Sequence, residues 1–293
     1  MAVQRVAVTG GNGNIGEAIL RELADHGYET VNLARGKRRE AVSDEYQSID
    51  LLDAGAVYGS LARTGVDAAI HMGTIPSPSR NPGHETYRSN VQSAYHVLEA
   101  AEALGIGRVV VPSSVNVMGA AFQDAKIEVE YLPVDEEHPV TPRDPYAVAK
   151  HAMEVTADGV ARRPDGPTIA SLRYPWVADG DDLRSAFEEW STDLAAMRGE
   201  RSRTTRDVLF SYLHLKDAAS VARRALEADI DGHERFWAVA SDTCVRTDSE
   251  RLVEEFFDHA ERREPITGTD PLVTTAKAER LLDWEPGWSW RAD

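Results

Sequence analysis

The chain has 293 residues, with 49 acidic and 32 basic side chains and a formal net charge of −17 at pH 7. This acidic balance disfavours nucleic-acid binding, and because Cys244 is the only cysteine, an intrachain disulfide and a zinc site built on paired cysteines are both excluded. The length predicts one main domain with a smaller attached lobe, and since we find no secretory segment or membrane-spanning apolar run, we expect a cytoplasmic protein without a membrane partner.

The first predicted elements are a strand, a glycine turn and a helix. Residues 6–8 form an apolar run typical of a buried strand, and Gly10, Gly13 and Gly16 follow at three-residue intervals before a helical stripe. Such a turn brings backbone N–H groups and a helix N-terminus against a pyrophosphate, which predicts a dinucleotide site. The candidate residues are Gly10, Asn12, Gly13, Asn14, Ile15 and Gly16. A glycine-rich surface loop is the alternative interpretation.

The residues after the second predicted strand, Glu29–Leu33, indicate which dinucleotide is bound. An acidic residue there would bind the adenosine ribose hydroxyls, whereas this chain continues as Ala34-Arg-Gly-Lys-Arg-Arg39. A guanidinium offers planar charged donors to a phosphate, so Arg35 and Arg38 are candidate ligands of a ribose 2′-phosphate. We therefore predict NADP in preference to NAD, with NAD still possible. A solvated basic turn is the alternative.

Strands and helices continue to alternate along the chain. The predicted strands are 46–49, 68–71 and 108–111, and the predicted helices are 53–61 and 85–104. This alternation predicts an α/β fold with a Rossmann-type doubly wound parallel sheet and ligands at the carboxyl ends of the strands. Further cofactor-side candidates lie at these ends and on the long helix: Asp50 and Leu51 beside the adenine, Met72 and Gly73 beneath the cofactor, and Asn90, which can hold neighbouring backbone.

The candidate catalytic residues are Ser114, Tyr146 and Lys150. Tyr146 and Lys150 are four residues apart on a predicted helix from 144 to about 161, so they share one face, and Ser114 lies at the end of the fifth strand. A nearby ammonium and a cationic nicotinamide would both favour the phenolate, which makes Tyr146 a candidate general base. Lys150 would also bind the nicotinamide ribose, and Ser114 would hold the substrate oxygen. Separately, each residue could instead have a packing or surface role.

These motifs together resemble the extended short-chain dehydrogenase/reductases, the NAD-dependent epimerase/dehydratase family. The resemblance continues through Leu172-Arg-Tyr-Pro175, Tyr212-Leu-His-Leu-Lys-Asp-Ala218 and Thr275 to Pro286, so it covers nearly the whole chain. It implies the same roles for the three catalytic candidates and places Pro175 beside the nicotinamide carboxamide.

The same resemblance implies a domain organisation and an assembly. We expect a dinucleotide-binding core over residues 1–173 and a small C-terminal substrate-binding lobe over 174–293, with 207–240 returning to the core. Members often dimerise through their two long helices, here 85–104 and 144–161, so we expect a homodimer or a higher homo-oligomer.

Departures from the family pattern indicate the substrate. Family members acting on nucleotide sugars usually have Phe-Asn after the arginine-tyrosine pair, where this chain has Pro175 and Trp176, and Met118 replaces a usual tyrosine. The C-terminal lobe is also short for enclosing a nucleotide diphosphate. A small sugar substrate fits better, and the chain is similar to aldose 1-dehydrogenases and uronate dehydrogenases.

We therefore predict NAD(P)-dependent oxidation of a free aldose at the anomeric carbon, giving a lactone. The candidate substrate-binding residues are Ser114, Asn116, Tyr146 and Trp176, with His71 as a further hydroxyl ligand. A uronate would need a cationic partner for its carboxylate; the resemblance implies an arginine shortly before Tyr212-Leu-His, where the nearest equivalents are Arg206 and Asp207. The alternatives are a uronate dehydrogenase, a nucleotide-sugar epimerase or dehydratase, and a non-catalytic redox sensor. We find no ligand cluster for a metal.

The basic residues include only five lysines: Lys37, Lys126, Lys150, Lys216 and Lys277. An acidic surface poor in lysine is typical of proteins from salt-loving archaea, because carboxylates stay hydrated in concentrated salt. We therefore hypothesise a halophilic protein, which should melt at a higher temperature in molar potassium chloride. An ordinary acidic protein with GC-rich codon usage is the alternative.

Overall fold

The computed structural model describes residues 3–77, 79, 81–122, 126–190, 194–198 and 203–292. The predicted loop after the fourth strand, the long loop from 117 to 143 and the predicted lobe each lie partly outside these residues.

Seven parallel strands form the main sheet, in the order β10-β7-β5-β4-β1-β2-β3. Two small parallel pairs, β6 with β11 and β8 with β9, lie outside it. The strands are Arg5–Thr9 (β1), Glu29–Ala34 (β2), Glu45–Ser48 (β3), Ala68–His71 (β4), Arg108–Ser114 (β5), Tyr131–Leu132 (β6), Thr168–Tyr174 (β7), Trp176–Ala178 (β8), Tyr212–His214 (β9), His233–Trp237 (β10) and Glu261–Arg262 (β11).

The helices connect the strands and cover the sheet. They are Asn14–Asp25 (α1), Ala54–Thr64 (α2), Gly83–Leu104 (α3), Pro145–Ala161 (α4), Gly180–Trp190 (α5), Leu194–Met197 (α6), Arg203–Asp207 (α7), Leu215–Glu227 (α8), Ser249–Phe256 (α9) and Ala276–Leu282 (α10). A 3-10 helix, Val115–Met118, follows β5 directly.

The middle of each central strand is apolar because helices cover both faces of the sheet. Successive side chains of a strand point to opposite faces, so Val6 and Val8 pack with α1 and α8, while Ala7 packs with the layer of α2, α3 and α4. All three side chains are fully buried. The predicted Rossmann-type doubly wound parallel sheet is therefore confirmed.

Strand β5 is longer than its sequence pattern predicts. The pattern ends at Val111, whereas the strand continues through Pro112 to Ser114. Pairing with β4 stops at Val110, but pairing with β7 continues to the end, where Ser114 lies opposite Tyr174. A proline without an N–H is tolerated where a strand keeps one neighbour, and the extension carries Ser114 to the rim of the sheet.

A further apolar cluster lies beyond the carboxyl ends of the strands. It combines the 3-10 helix and β6 with residues from 183 to 290, and Tyr212, Phe187 and Trp290 pack edge to face at its centre. Strand β10 returns to the edge of the main sheet beside β7. Our division into a core and a lobe at residue 173 remains a proposal.

Candidate active site

The chain crosses to opposite sides of the sheet after β1 and β4, and open α/β sheets bind ligands in the crevice formed there. Thr9 links the two strand ends. Its hydroxyl accepts the backbone N–H groups of Met72 at 3.1 Å and Gly73 at 3.2 Å, and it lies 2.8 Å from His71 Nδ1. Strand β4 thus holds the start of the glycine turn in place.

The glycines of the turn are required by close backbone contacts. Gly10 has a φ of +72°, and a Cβ there would lie 2.8 Å from Gly73 Cα. A Cβ on Gly16 would lie 2.4 Å from Gly10 O. Gly13 caps α1 without a side-chain hydrogen bond, so the first N–H groups of the helix face a site with no capping side chain. These features fit a pyrophosphate at the helix N-terminus.

The predicted role of His71 in binding a substrate hydroxyl is wrong. His71 is fully buried, with Nδ1 beside Thr9 Oγ1 and Nε2 3.3 Å from Ser93 Oγ. Burial and the charge of Lys150 lower the pKa of His71 to about 3, so the ring is neutral. Because both ring nitrogens contact protein hydroxyls, His71 holds Thr9 at the start of the glycine turn and does not bind a substrate hydroxyl.

The basic residues that follow β2 do not all behave alike. Arg35 is exposed at the end of β2, whereas Arg38 folds back, with Nε 3.1 Å from a carboxylate oxygen of Glu40. Arg38 also pairs with Glu40, a contact that the sequence did not indicate, and its role as a phosphate ligand stays a prediction because its side chain is exposed. Asp50 is exposed, and Leu51 is buried so closely against Gly73 that a Cβ on this glycine would lie 2.1 Å from Leu51 Cδ1.

Asn90 holds the loop after β4 through its carboxamide. Its Oδ1 accepts the N–H of Ile75 at 2.7 Å, and its Nδ2 donates to the carbonyl of Ile75 at 3.0 Å. The predicted contact between Asn90 and neighbouring backbone is present. Asn90 thus fixes the backbone of this loop at Ile75, and its role toward a cofactor stays a prediction.

Ser114, Tyr146 and Lys150 lie together at the carboxyl end of β5. Asp144 begins α4 as its N-cap, since its Oδ1 accepts the N–H groups of Tyr146 and Ala147. Lys150 is one turn further along, with Nζ 5.5 Å from the centre of the Tyr146 ring. The Nζ atom donates to Pro112 O at 2.7 Å, so the extension of β5 also fixes the lysine.

Burial opposes ionisation of both helix residues. It raises the pKa of Tyr146 to about 12, although a hydrogen bond with Ser114 acts in the opposite direction. Burial lowers the pKa of Lys150 to about 7, and the charge of Glu154 opposes this shift. The expectation that the lysine ammonium alone favours the phenolate is therefore too simple, because in the protein itself Tyr146 is protonated at neutral pH.

The sequence reasoning missed a buried ionic network behind Lys150. Glu154 lies one helical turn beyond Lys150 and is almost fully buried. Its carboxylate accepts hydrogen bonds from Ser113 at 2.5 Å, from Arg173 at 2.9 Å and from Arg235 at 3.1 Å. Despite burial, hydrogen bonds from Arg173 and Ser113 keep the pKa of Glu154 low. The sequence signal for this network is a glutamate four residues after Lys150, on the same face of the predicted helix.

The substrate side of the site combines polar and aromatic groups. Asn116 is buried, and its Oδ1 lies 3.3 Å from Ser114 Oγ, while its Nδ2 has no hydrogen-bond partner among the described residues. Pro175 follows β7 directly, and Trp176 is 40% exposed beside it. Phe122, which the sequence did not suggest, packs edge to face on the Tyr146 ring at 5.7 Å.

No group of three or more His, Cys, Asp or Glu side chains among the described residues could hold a metal ion. In the same part of the chain, no helix is long and apolar enough to cross a membrane.

The sequence also matches a known protein family. Residues 6–240 match the model of the NAD dependent epimerase/dehydratase family. The chain belongs to this family. The chain is similar to the UDP-glucose 4-epimerase of Corynebacterium glutamicum, to which it is 25% identical over 96% of this chain and 91% of the epimerase. The L-arabinose 1-dehydrogenase (NAD(P)(+)) of Haloferax volcanii is 27% identical over 77% of this chain and 84% of its own length.

Solved structures of other proteins share the fold. MoeE5 in complex with UDP-glucuronic acid and NAD has a TM-score of 0.71 and 21% identity, covering 98% of this chain and 95% of the MoeE5 chain. A mutated uronate dehydrogenase has a TM-score of 0.66 and 22% identity, covering 99% of this chain and 83% of its own. The chain is therefore an epimerase/dehydratase-family enzyme of the extended short-chain dehydrogenase/reductase type.

Proposed function

We propose that this enzyme oxidises a free aldose at its anomeric carbon to a lactone, with NADP as the preferred acceptor. The observation that carries the proposal is the cluster of Ser114, Tyr146 and Lys150 at the carboxyl end of β5, beside the glycine turn. A phenol, a lysine and a hydroxyl in this arrangement are suited to removing a proton from an alcohol.

Several groups of the chain would hold the dinucleotide. The backbone N–H groups of the glycine turn would bind the pyrophosphate, Met72 and Gly73 would lie beneath the cofactor, and Lys150 would bind the nicotinamide ribose. When bound, oxidised nicotinamide accepts a hydride and brings a positive charge to the site. Such a charge favours the phenolate and so opposes the effect of burial on Tyr146.

The substrate roles follow from the polar atoms near Tyr146. Ser114 Oγ would hold the anomeric oxygen, and Tyr146 would take its proton. The Nδ2 of buried Asn116, which has no partner in the part of the chain that the structure describes, is suited to a second sugar oxygen, because an unpaired buried donor is costly unless a ligand completes it. Trp176 and Phe122 offer apolar rings to the sugar.

A uronate is the less favoured substrate because the candidate cation is engaged elsewhere. Arg206 Nη1 donates to Met197 O at 2.7 Å, and the guanidinium stacks on the Phe256 ring at 5.5 Å. These contacts take up one of its terminal nitrogens and one face of the guanidinium.

A nucleotide-sugar epimerase is the second candidate function. The full-length similarity to the UDP-glucose 4-epimerase of Corynebacterium glutamicum favours it. The sequence argues against it, because Pro175 and Trp176 follow Arg173-Tyr174 where the nucleotide-sugar enzymes typically have Phe-Asn.

An absorbance assay for reduced nicotinamide distinguishes these functions. The purified enzyme is mixed with NADP or NAD in molar potassium chloride, and a panel of aldoses, uronates and UDP-hexoses is added. The proposal requires net cofactor reduction with a free aldose. Interconversion of UDP-glucose and UDP-galactose without net reduction would establish the epimerase instead, and reduction by uronates alone would establish a uronate dehydrogenase.

Replacing Arg35 by Asp is expected to weaken NADP binding about tenfold or more and to leave NAD binding nearly unchanged. Arg35 is the exposed cation at the end of β2, and an aspartate there would repel a 2′-phosphate and accept ribose hydroxyls. Calorimetric titration with each dinucleotide measures the effect. Equal loss for both dinucleotides would contradict the assignment of Arg35.

Replacing Val155 by Glu is expected to convert a homodimer to a monomer. Helices α3 and α4 pack together, and Tyr87, Tyr95 and Val155 expose apolar surface on them, with Val155 54% exposed. We propose that a second copy covers this face. Light scattering measures the mass, and Tyr58→Glu on α2, another exposed aromatic position, is the control. An unchanged mass for the Val155 variant would contradict this interface.

A further inference from the structure

The side chain of Asn12 connects the glycine turn to the basic loop, residues 35–39. Its Nδ2 donates to Arg35 O at 3.3 Å and to Lys37 O at 3.1 Å, and its Oδ1 accepts the N–H of Arg39 at 3.0 Å. Both polar atoms of the carboxamide are therefore bound to the basic loop. The sequence places Asn12 among the dinucleotide ligands, but its side chain is committed to the protein.

Glu40 supports the basic loop from beneath. Its side chain is completely buried, and its carboxylate accepts hydrogen bonds from Asn32 at 2.9 Å, from Val42 N–H at 2.7 Å and from Ser43 Oγ at 2.7 Å. Burial raises the pKa of Glu40, but these hydrogen bonds outweigh it and bring the pKa to about 2. Glu40 is thus an ionised group at neutral pH, and Arg38 is its partner.

A third anchor fixes the middle of the basic loop. Tyr46 on β3 donates from its hydroxyl to Gly36 O at 2.7 Å, and Gly36 has a φ of +77° that favours glycine. With both ends and the middle held, the backbone of the loop has a defined position relative to the glycine turn.

Three cations of the basic loop have no ion-pair partner among the described residues. Arg35, Lys37 and Arg39 are exposed, and none of them forms an ion pair with another described residue. They lie beside the turn that suits a pyrophosphate, in a chain with a net charge of −17. A preorganised group of cations binds a phosphate without a further entropic cost of ordering the loop.

We propose that Asn12 and Glu40 are positioning residues that hold the basic loop as a site for an adenosine 2′-phosphate, so that discrimination between NADP and NAD depends on two side chains that do not contact the phosphate. This inference rests on the proposed NADP preference. The glycine turn serves both dinucleotides through its backbone, whereas the basic loop contributes only when a 2′-phosphate is present. Loosening the loop therefore affects one dinucleotide.

The test compares Asn12→Ala and Glu40→Gln with the parent enzyme and with a matched control, Glu45→Gln. Glu45 is the first residue of β3, at the end of the strand away from the basic loop, and its carboxylate pairs with Arg5 at 2.6 Å. Removing this charge should therefore leave the basic loop intact. Calorimetry measures the affinities for NADP, NAD, adenosine 2′,5′-bisphosphate and adenosine 5′-monophosphate. The bisphosphate and the monophosphate lack the nicotinamide half, so they report binding at the adenosine end of the site alone.

We expect both positioning variants to weaken NADP and the bisphosphate about tenfold, with NAD and the monophosphate changed less than about twofold. The Glu45 control should behave as the parent enzyme. Retained NAD affinity also reports that a variant is folded, and Asn12, which is only half-buried, provides a test if Glu40→Gln does not fold.

Equal weakening of NADP and NAD by the Asn12 variant would overturn the inference, because Asn12 would then support the pyrophosphate turn itself. If Arg35→Asp lowers NADP affinity selectively but neither positioning variant does, the inference fails while the proposed cofactor preference stands. If Arg35→Asp also lacks selectivity, the proposed preference for NADP fails and the inference fails with it.

Discussion

The Tyr146→Phe variant is expected to lose about 10²- to 10⁴-fold in kcat while its affinity for the dinucleotide stays unchanged. Only the phenolic oxygen is removed, and this oxygen is the proposed acceptor of the substrate proton. The ring would remain in its buried position, in edge-to-face contact with Phe122. Steady-state kinetics with the preferred aldose and calorimetry with NADP measure the two quantities separately.

A second tyrosine provides the control for this variant. Tyr131 lies on β6, apart from the candidate catalytic residues, and is also buried, and its hydroxyl donates to Asp135 at 2.5 Å. Tyr131→Phe should lower the melting temperature without a comparable change in kcat. If Tyr146→Phe retains turnover, another group removes the proton and the proposed mechanism is wrong.

The features that could be predicted from the sequence are those whose signal is local. The glycine turn depends on spacing within seven residues, and the shared face of Tyr146 and Lys150 depends on helical periodicity. The strands of the main sheet follow from short apolar runs, because burial on both faces favours apolar side chains. For the same reason the fold class was predictable.

The features that the sequence did not reveal depend on contacts between distant residues. The position of His71 at the end of a strand suggested a ligand, but Thr9 and Ser93, 62 and 22 residues away, engage both ring nitrogens. Arg38 is one of four basic residues in the sequence of this loop, but among the described residues it alone of the four pairs with a carboxylate, that of Glu40. Such partners are fixed by tertiary packing, and no periodicity in the sequence reports them.

The pKa values of the candidate catalytic residues Tyr146 and Lys150 could not be predicted from their spacing either. Spacing shows that Tyr146 and Lys150 share a helix face, but the degree of burial decides which proton each one holds. Both are almost fully buried, so desolvation raises the pKa of the phenol and lowers that of the amine. Each residue is thereby pushed toward its neutral form.

Lys150 is expected to titrate with a pKa of about 7 in the enzyme without cofactor, well below its ordinary value of 10.5. Burial disfavours the ammonium, and the hydrogen bond to Pro112 O and the carboxylate of Glu154 compensate only in part. Heteronuclear NMR of protein labelled at lysine Nζ measures the titration, and the chain has only five lysines to resolve. The signal that disappears in Lys150→Arg assigns the resonance.

The shift has a defined effect on stability. Between pH 7 and 10.5 the unfolded chain holds a proton on Lys150 that the folded chain does not, so this residue's contribution to the free energy of unfolding rises with pH in that interval. Below pH 7 the full cost of the buried charge is present. The candidate catalytic site thus destabilises the fold under neutral and acidic conditions, as is common for sites that need a reactive buried group.

Glu154→Gln should lower the pKa of Lys150 further, because the carboxylate is the group that favours the ammonium. The matched variant is Asp158→Asn, one helical turn further along α4, where the carboxylate pairs with His233 at 2.9 Å and with Arg235. Removing that charge should leave the Lys150 titration in place while also weakening the ionic network. A Lys150 that titrates near its ordinary pKa in the parent enzyme would contradict the buried environment, and an unchanged titration in Glu154→Gln would show that the network supports the fold without tuning the lysine.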